Sequence, residues 1–114
     1  MTTVDTNFNI KHTKGDTLDK TITINLNGSA INWASNGYLT ATCKVKSLPP
    51  ETSSVFDITI DITVNGALRM TSTTVQTIPA GTYYYDIQFA KSGSKVETWW
   101  NDQPAKFEIT QDVT

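Results

Sequence analysis

A nine-residue run of strict alternation, from Phe56 to Val64, constrains the fold of this chain more than any other feature. Every second residue of the run is apolar, and the residues between them are Asp or Thr. Successive side chains of a strand point to opposite faces, so the run predicts a strand with one buried face. Asn65-Gly66 follows at once and is the strongest hairpin signal in the sequence. We expect Ala67–Thr73 to return as the antiparallel partner.

The same alternation recurs along most of the chain. It is found at Leu18–Leu26, Tyr38–Lys46, Thr82–Ala90, Val96–Trp100 and Ala105–Thr110, and a further short strand is predicted to start near Phe8. Turn signals rich in Gly, Pro, Asn and Asp separate these stretches, and no stretch has a helical period. Within their strands, Leu26, Leu39 and Val64 are expected on the apolar, core-facing side.

Composition agrees with a chain made of strands. Twenty of the 114 residues are Thr, a β-branched residue that is favoured in strands and whose hydroxyl suits a solvent-facing position. The length fits a single domain. We predict an all-β, immunoglobulin-like antiparallel β-sandwich of about seven or eight strands, with a small jelly roll or β-barrel as the alternative. Residues 1–9 are predicted to be an extended polar arm, and residues 10–114 the sandwich.

One local pattern favours the sandwich. Gly81-Thr82-Tyr83 places a Tyr two residues after a Gly at the start of a strand. This spacing is typical of a tyrosine corner, in which the hydroxyl bonds to backbone a few residues upstream. Gly81 and Tyr83 are therefore predicted to be structural, and Tyr85 is expected to point into the core.

Nothing in the sequence predicts catalysis, a metal site or a cofactor. His12 is the only His and Cys43 the only Cys, so neither a nucleophile–His pair nor a metal cluster of both residue types is indicated. Asp57 and Asp61 lie four residues apart on one strand, roughly 13 Å, which is too far for a pair sharing one proton. The lone Cys excludes an intrachain disulfide.

Charge and hydropathy exclude two classes of partner. The net charge is −2, and the charged residues are interspersed, so we expect no nucleic-acid binding, which needs a basic surface. No apolar run approaches the length of a transmembrane span, and the polar start lacks the apolar segment of a signal peptide. We expect a soluble domain that does not contact membrane.

Aromatic residues are the remaining candidates for a binding surface. Trp99 and Trp100 are adjacent on a predicted strand, so they point to opposite faces, and one of them is expected on the surface. Exposed Trp often marks an interface. Trp33 and Tyr84 are candidates for the same patch. Phe8, on the polar arm, is a fifth candidate because such an arm can order across a neighbouring subunit.

Several short motifs resemble those of a known protein family. They are Lys14-Gly15-Asp16-Thr17, the run Pro79–Asp86 with its Gly-Thr-Tyr-Tyr-Tyr-Asp, and a final Asp112-Val113-Thr114. In this order and spacing they resemble the small immunoglobulin-like domain of tailed-bacteriophage virion proteins. The best-described example is the N-terminal domain of the baseplate upper protein.

The resemblance implies a non-enzymatic virion structural protein that assembles in the host cytoplasm. Members of that family usually continue into a stalk and a receptor-binding part, so a free-standing copy is expected to be a head decoration protein or a tail or baseplate adaptor. Its partners would be capsid or tail subunits, and it would be a homo-oligomer or occupy symmetry-matched sites. The alternative is a carbohydrate- or host-surface-binding module that stacks a Trp on a glycan. Gene neighbourhood would separate head from tail.

Overall fold

The computed structural model describes residues 2–5, 8–47, 54–99 and 105–111. Within them the chain forms eleven strands and one 3₁₀ helix of four residues. The all-β prediction is confirmed. The strands are β1 Thr2–Val4, β2 Ile10–Thr13, β3 Leu18–Thr23, β4 Asn25–Leu26, β5 Ser29–Ala30, β6 Tyr38–Lys46, β7 Phe56–Asp61, β8 Ala67–Ser72, β9 Gly81–Lys91, β10 Lys95–Trp99 and β11 Ala105–Thr110, and the 3₁₀ helix is Thr74–Thr77.

Nine of these strands form one sheet around β9. The order is β1-β2-β11-β9-β6-β7-β8-β3, and β10 pairs with β9 on the same side as β11. β10 pairs with the second half of β9 and β11 with the first half, so the two strands follow one another along it. The pair β4–β5 forms a separate two-stranded sheet.

The sheet is mixed and curls almost into a barrel. β2 and β11 pair in parallel, while the other pairs among the described residues are antiparallel. β1, at one margin of the sheet, lies beside β3 at the other. The fold therefore has features of both the sandwich and the barrel considered from the sequence, because one continuous sheet folds over into two facing layers. The parallel pair is the departure from a purely antiparallel sandwich.

One hydrophobic core fills the space between the layers. Strands β2, β3, β6, β7, β8, β9 and β11 and the 3₁₀ helix contribute to it, and its most deeply buried members are Ile10, Leu18, Val45, Leu68, Met70, Val75, Ile87, Phe89 and Phe107. Burial of apolar area at about 25 cal/mol per Å² is the main favourable term in such a fold. The core is continuous from one end of the barrel to the other.

Three residues predicted to face the core are exposed instead. Leu39 is 61% exposed because the β6–β9 register shifts between Tyr38 and Thr40, which leaves Leu39 as the extra residue of a bulge. Val64 is 65% exposed because β7 ends at Asp61, before the alternation ends. Leu26 is exposed because the long predicted strand breaks after Thr23 and continues as the separate β4–β5 pair.

Of the three Asn-Gly pairs, Asn27-Gly28 and Asn65-Gly66 behave differently from each other. Asn27 and Gly28 have φ of 54° and 82°, the two positive values of a tight two-residue hairpin, and they join β4 to β5. At Asn65-Gly66 only Gly66 has a positive φ, 75°. A Cβ at Gly66 would lie 2.7 Å from the Cβ of Ala30. The antiparallel return of β8 onto β7 is found, but the loop between them is longer than predicted and packs on the β4–β5 hairpin.

The barrel has two unlike ends. The closed end is where β1, β2 and β3 come together, and it includes the turn 14–17 and the 3₁₀ helix. The apolar end consists of the β4–β5 hairpin, the turn 31–37, the loop 62–66 and the turn 92–94. Backbone hydrogen bonds join these four segments, among them Gly66 N to Ile31 O and Ser92 N to Gly37 O, both 2.8 Å.

The polar arm predicted for residues 1–9 contains a strand of its own. β1 pairs antiparallel with β2, with Thr3 opposite Lys11 and Val4 opposite Ile10. The arm therefore extends the sheet of its own chain. The predicted turn at 101–104, Trp100 and the motif Asp112-Val113-Thr114 lie outside the described residues.

Candidate interaction surface

The single His is a structural group at the closed end. His12 is 1% exposed, and both ring nitrogens have partners. Its Nε2 lies 2.8 Å from the carbonyl oxygen of Asp16, which can only accept, so Nε2–H donates there. In neutral His12 the Nδ1 is then the acceptor for the hydroxyl of Thr2, 2.6 Å away. The ring thus ties β1 to the turn that follows β2.

The single thiol and the two predicted strand carboxylates are not brought together into a reactive site. Burial raises the pKa of the Cys43 thiol, and the carboxylates of Asp86 and Asp57 raise it further, which keeps it a protonated core residue. Asp61 accepts hydrogen bonds from the amide and hydroxyl of Thr63 at 2.8 and 2.6 Å. These bonds hold the pKa of Asp61 below its usual range.

Two further absences hold for the part of the chain that the structure describes. No group of three or more His, Cys, Asp and Glu side chains is close enough to hold a metal ion. No helix there has the length and apolar character to cross a membrane.

Four aromatic rings pack together at the apolar end. Trp33 contacts Tyr38 edge-on, with ring centroids 5.4 Å apart, and stacks on Phe89 at 5.7 Å. The ring centroid of Trp99 lies 4.4 Å from that of Phe89 and 6.0 Å from that of Trp33. Aromatic pairs in such geometries contribute roughly 0.5–1.5 kcal/mol beyond the area that they bury. The cluster joins the turn 31–37 to β6, β9 and β10.

A carboxylate holds the rim of this cluster. Glu97 Oε2 accepts from the hydroxyl of Tyr38 at 2.5 Å and from the indole N–H of Trp99 at 2.8 Å. Its other oxygen lies 3.7 Å from Lys91 Nζ, which also sits 4.5 Å above the Tyr38 ring centroid. The hydrogen bond from Tyr38, then that from Trp99, lowers the pKa of Glu97. Burial, with the bond to Glu97, raises the pKa of Tyr38 to about 12.

Exposed aliphatic side chains surround the same end. Among the described residues five large hydrophobic side chains are exposed, and four of them are on the apolar end or the first residues of the strands leading from it: Leu26 at 45%, Leu39 at 61%, Val64 at 65% and Val96 at 63%. The fifth, Val55, precedes β7 at the opposite end. An uneven distribution of this kind marks an interaction site more often than scattered single residues do.

The five predicted partner-binding residues are distributed between different places. Trp33 is 2% exposed and belongs to the core, so it does not present a surface to a partner. Trp99 is half-buried and packs beside it. Tyr84 is half-buried on the outer face of β9, between Lys46 and Lys106 on the neighbouring strands. The structure therefore joins Trp33 with Trp99.

The two remaining candidates are Phe8 and Trp100. Phe8 packs partly against the core, and its carbonyl oxygen accepts a short hydrogen bond from the hydroxyl of Tyr85. Its φ is 62°, a left-handed conformation that is unusual for a bulky side chain. Trp100 lies outside the described residues.

The motif residues of the sequence are scaffold groups at the closed end. The hydroxyl of Tyr83 donates to the carbonyl oxygen of Pro79 at 2.8 Å, the bond that a tyrosine corner requires. Gly81 has a φ of 156°, which other residues rarely adopt, and a Cβ there would make an ordinary contact with the ring, 3.9 Å from Tyr83 Cε2. Tyr85 is 1% exposed, and Gly15 has a φ of 90° in the turn before β3.

Sequence reasoning missed the residues that build the rim of the apolar end. Tyr38, Lys91 and Glu97 carry no motif and come together only because β6, β9 and β10 are neighbours. Part of the site had a signal in the sequence. Glu97 and Trp99 are two residues apart on one predicted strand, so their side chains are expected on the same face. The exposed Leu39 had no sequence signal, because the bulge arises from pairing.

Comparison of the chain with protein-family models, with curated proteins and with solved structures gives no match.

Proposed function

We propose that this chain is a non-catalytic assembly module that docks onto subunits of a bacteriophage virion, as a head decoration protein or a tail or baseplate adaptor. The observation that carries docking is the uneven distribution of exposed apolar side chains. Leu26, Leu39, Val64 and Val96 lie at or beside one end, over a core that fixes their positions.

Physical terms favour burial of that end against a protein. Covering one exposed aliphatic side chain contributes about 1 kcal/mol or more. The aromatic cluster beneath holds the loops in place before contact, so little conformational entropy is lost on docking. Glu97 and Lys91 at the rim supply charges that fix orientation more than affinity.

The virion part of the proposal comes from the resemblance of the sequence motifs. Lys14–Thr17 and Pro79–Asp86 supply a turn, a tyrosine corner and buried side chains. Such residues support a shared scaffold, while the docking end can vary between proteins that attach to different subunits. A repeated copy at symmetry-related positions would suit a small rigid domain of this size.

Binding of a carbohydrate is the less favoured alternative. A sugar-stacking Trp needs an open ring face with a free polar edge. Trp33 is buried, and Trp99 packs on Phe89 and donates its indole N–H to Glu97. A glycan array with Trp fluorescence as readout tests this alternative. Quenching that is lost in Trp99→Ala would favour it over docking to protein.

The docking surface is tested with a surface variant and a matched control. Leu39→Thr, Val64→Thr and Val96→Thr are combined in one chain, and Thr59→Val at the exposed middle of β7 is the control. Both proteins are added to virions that lack the endogenous chain and are then sedimented. We expect wild type and control to sediment with the particles and the triple variant to stay in solution. Equal sedimentation of the triple variant would contradict the proposal.

Location on the particle is tested by composition. Virions of the phage that encodes the chain are purified, and their proteins are quantified by mass spectrometry. The proposal expects the chain at a fixed ratio to the major capsid subunit or to a tail subunit. Absence of the chain from mature particles would contradict a virion role and leave the docking surface to be assigned elsewhere.

A further inference from the structure

β1 is a short strand at the margin of the sheet. Its three residues pair with β2 through Thr2 opposite His12, Thr3 opposite Lys11 and Val4 opposite Ile10. The side chain of Thr2 adds the bond to buried His12, and Val4 packs partly against the core. The rest of the domain therefore binds β1 specifically, through the hydrogen bond to His12 at one end of the strand and the apolar contact of Val4 at the other.

The described part of the connection between β1 and β2, Asp5 with Phe8 and Asn9, is strained. Phe8 has a φ of 62°, which bulky residues rarely adopt and which is retained only where the surroundings enforce it. Asp5 enforces it from the other side of the turn. Its carboxylate accepts from the amide and the side-chain N–H of Asn9 at 2.9 and 3.2 Å, and its carbonyl accepts from the amide of Phe8 at 3.1 Å.

We propose that β1 is an exchangeable strand whose partner is a second copy of this chain. In the exchanged form, Thr2–Val4 of one copy pairs with β2 of the other, and each copy receives the strand that it gives. All contacts of β1 are then remade between copies, including the bond from Thr2 to His12. The strained turn opens, and Phe8 can return to an extended conformation.

The second copy is the occupant that the contacts specify. A foreign strand would have to supply both a hydroxyl that bonds to His12 and an apolar side chain in the place of Val4. Another copy of this chain carries both in the same register. Exchange of identical elements needs no new interface, so its main cost is association. Copies held side by side reach high effective concentrations, which reduce that cost. A short connection under strain favours the open form.

The exchange is independent of docking by the apolar end. β1 and β2 pair with each other and β2 pairs with β11, whereas Leu39, Val64 and Val96 lie on or beside β6, β7 and β10, which pair with neither β1 nor β2 among the described residues. The triple variant Leu39→Thr, Val64→Thr and Val96→Thr should therefore exchange like wild type. Failure of exchange and failure of docking are distinguishable on this basis.

A disulfide between two differently labelled chains detects the exchange. One chain carries Thr3→Cys and the other Lys11→Cys, two exposed positions directly opposite each other in the β1–β2 pair. Cβ atoms so placed lie near the distance of a disulfide. The chains are mixed, refolded together from urea at increasing concentration, and oxidised. Cys43 is 1% exposed and stays in all variants.

We expect a disulfide between the Thr3→Cys chain and the Lys11→Cys chain, with a yield that rises with concentration. The matched control pairs Thr3→Cys with Thr59→Cys, an exposed position on β7 that never faces β1. A yield in the test pair that is no higher than in this control, at every concentration, would overturn the proposal.

Variants of the turn give a second measurement. Asp5→Ala removes the two bonds from Asn9 to the Asp5 carboxylate, which help to close the turn, and should tighten dimer formation about tenfold per copy. Asp61→Ala, which removes comparable bonds at the apolar end, is the control and should change nothing. Phe8→Gly relieves the strain of the closed turn and should weaken dimer formation by a similar factor. Its control is Ser94→Gly, also a left-handed residue, with a φ of 59°. Equal effects of variant and control on the dimer dissociation constant would contradict strand exchange.

Discussion

The closed end and the apolar end of this barrel use their polar groups in opposite ways. At the closed end polar side chains bond to backbone of the same end: His12 to Asp16 and Tyr83 to Pro79. At the apolar end the polar groups of Tyr38 and Trp99 face a half-exposed carboxylate, Glu97, and aliphatic side chains stand outward. The polar groups of the closed end are bonded within the domain, whereas the apolar end has a charge and apolar side chains at its surface.

This difference separates stability from interaction within one small domain. Buried polar groups are costly unless they are bonded, so the closed end is constrained in sequence. Exposed aliphatic side chains contribute little to folding and can change with the partner. The four variants below test that division, from the largest expected effect to the smallest.

Trp33→Ala should cause the largest loss, because it removes the centre of the aromatic cluster and the bond from its indole N–H to Ala67 O, 3.1 Å long. We expect the free energy of unfolding to fall by about 3–5 kcal/mol, measured by urea denaturation. Amide hydrogen exchange should rise at β4, β5 and β10 more than at β2 and β11. Phe107→Ala at the closed end is the control and should give the reverse distribution. Uniform loss of protection in both variants would show that the ends do not act separately.

Glu97→Gln should have the next largest effect, since it replaces a charged acceptor of two hydrogen bonds. Bonds to charged groups contribute about 1.5–3 kcal/mol when buried; Glu97 is partly exposed, so we expect a loss near the lower value. Glu108→Gln on β11 is the control and should change stability by less.

The same carboxylate predicts a pH dependence. Because the folded pKa of Glu97 is lowered, its contribution is present above the unfolded value, about 4.3, and is lost as pH falls through the folded pKa. The difference in the free energy of unfolding between wild type and Glu97→Gln should therefore decrease in acid. Urea denaturation at several pH values measures it. A difference that is constant across this window would contradict the role of Glu97.

Tyr83→Phe tests the tyrosine corner with a smaller effect. The ring remains, and only the bond from its hydroxyl to Pro79 O is removed, so we expect a loss of about 0.5–1.5 kcal/mol. Tyr84→Phe, on the next residue and the outer face of β9, should change stability by less than about 0.5 kcal/mol. Equal losses would mean that the corner bond does not stabilise the closed end.

Leu39→Thr should have the smallest effect on folding. The side chain is 61% exposed at a bulge, so stability should stay within about 0.5 kcal/mol of wild type. Thermal unfolding measures it. A large loss would place Leu39 in the packing of the domain and remove it from the docking surface.

Local patterns predicted the strands, and pairing decided what the patterns could not. Tyr38–Lys46 and Ala105–Thr110 have the predicted bounds, because alternation and flanking turns specify them locally. The bulge at Leu39 and the end of β7 at Asp61 depend on neighbouring strands, which no period in the sequence records. The parallel pairing of β2 with β11 also joins segments about one hundred residues apart.

The candidate site was less predictable than the fold, for the same reason. The sequence pointed to Trp99 through its position next to Trp100 on a predicted strand, and the structure places it at the apolar end. It could not separate Trp33, which is buried, from a surface Trp, since both types of position accept the residue. Glu97 acquires its role from Tyr38, fifty-nine residues away, and such a contact has no local signature.

The parallel pairing of β2 with β11 has a consequence for synthesis. Ile10–Thr13 must wait for Phe107–Thr110, so a ribosome delivers almost the whole domain before its early segment can be secured. Until then the edge of β2 that pairs with β11 has no partner strand. Contacts between such distant segments also slow folding in general.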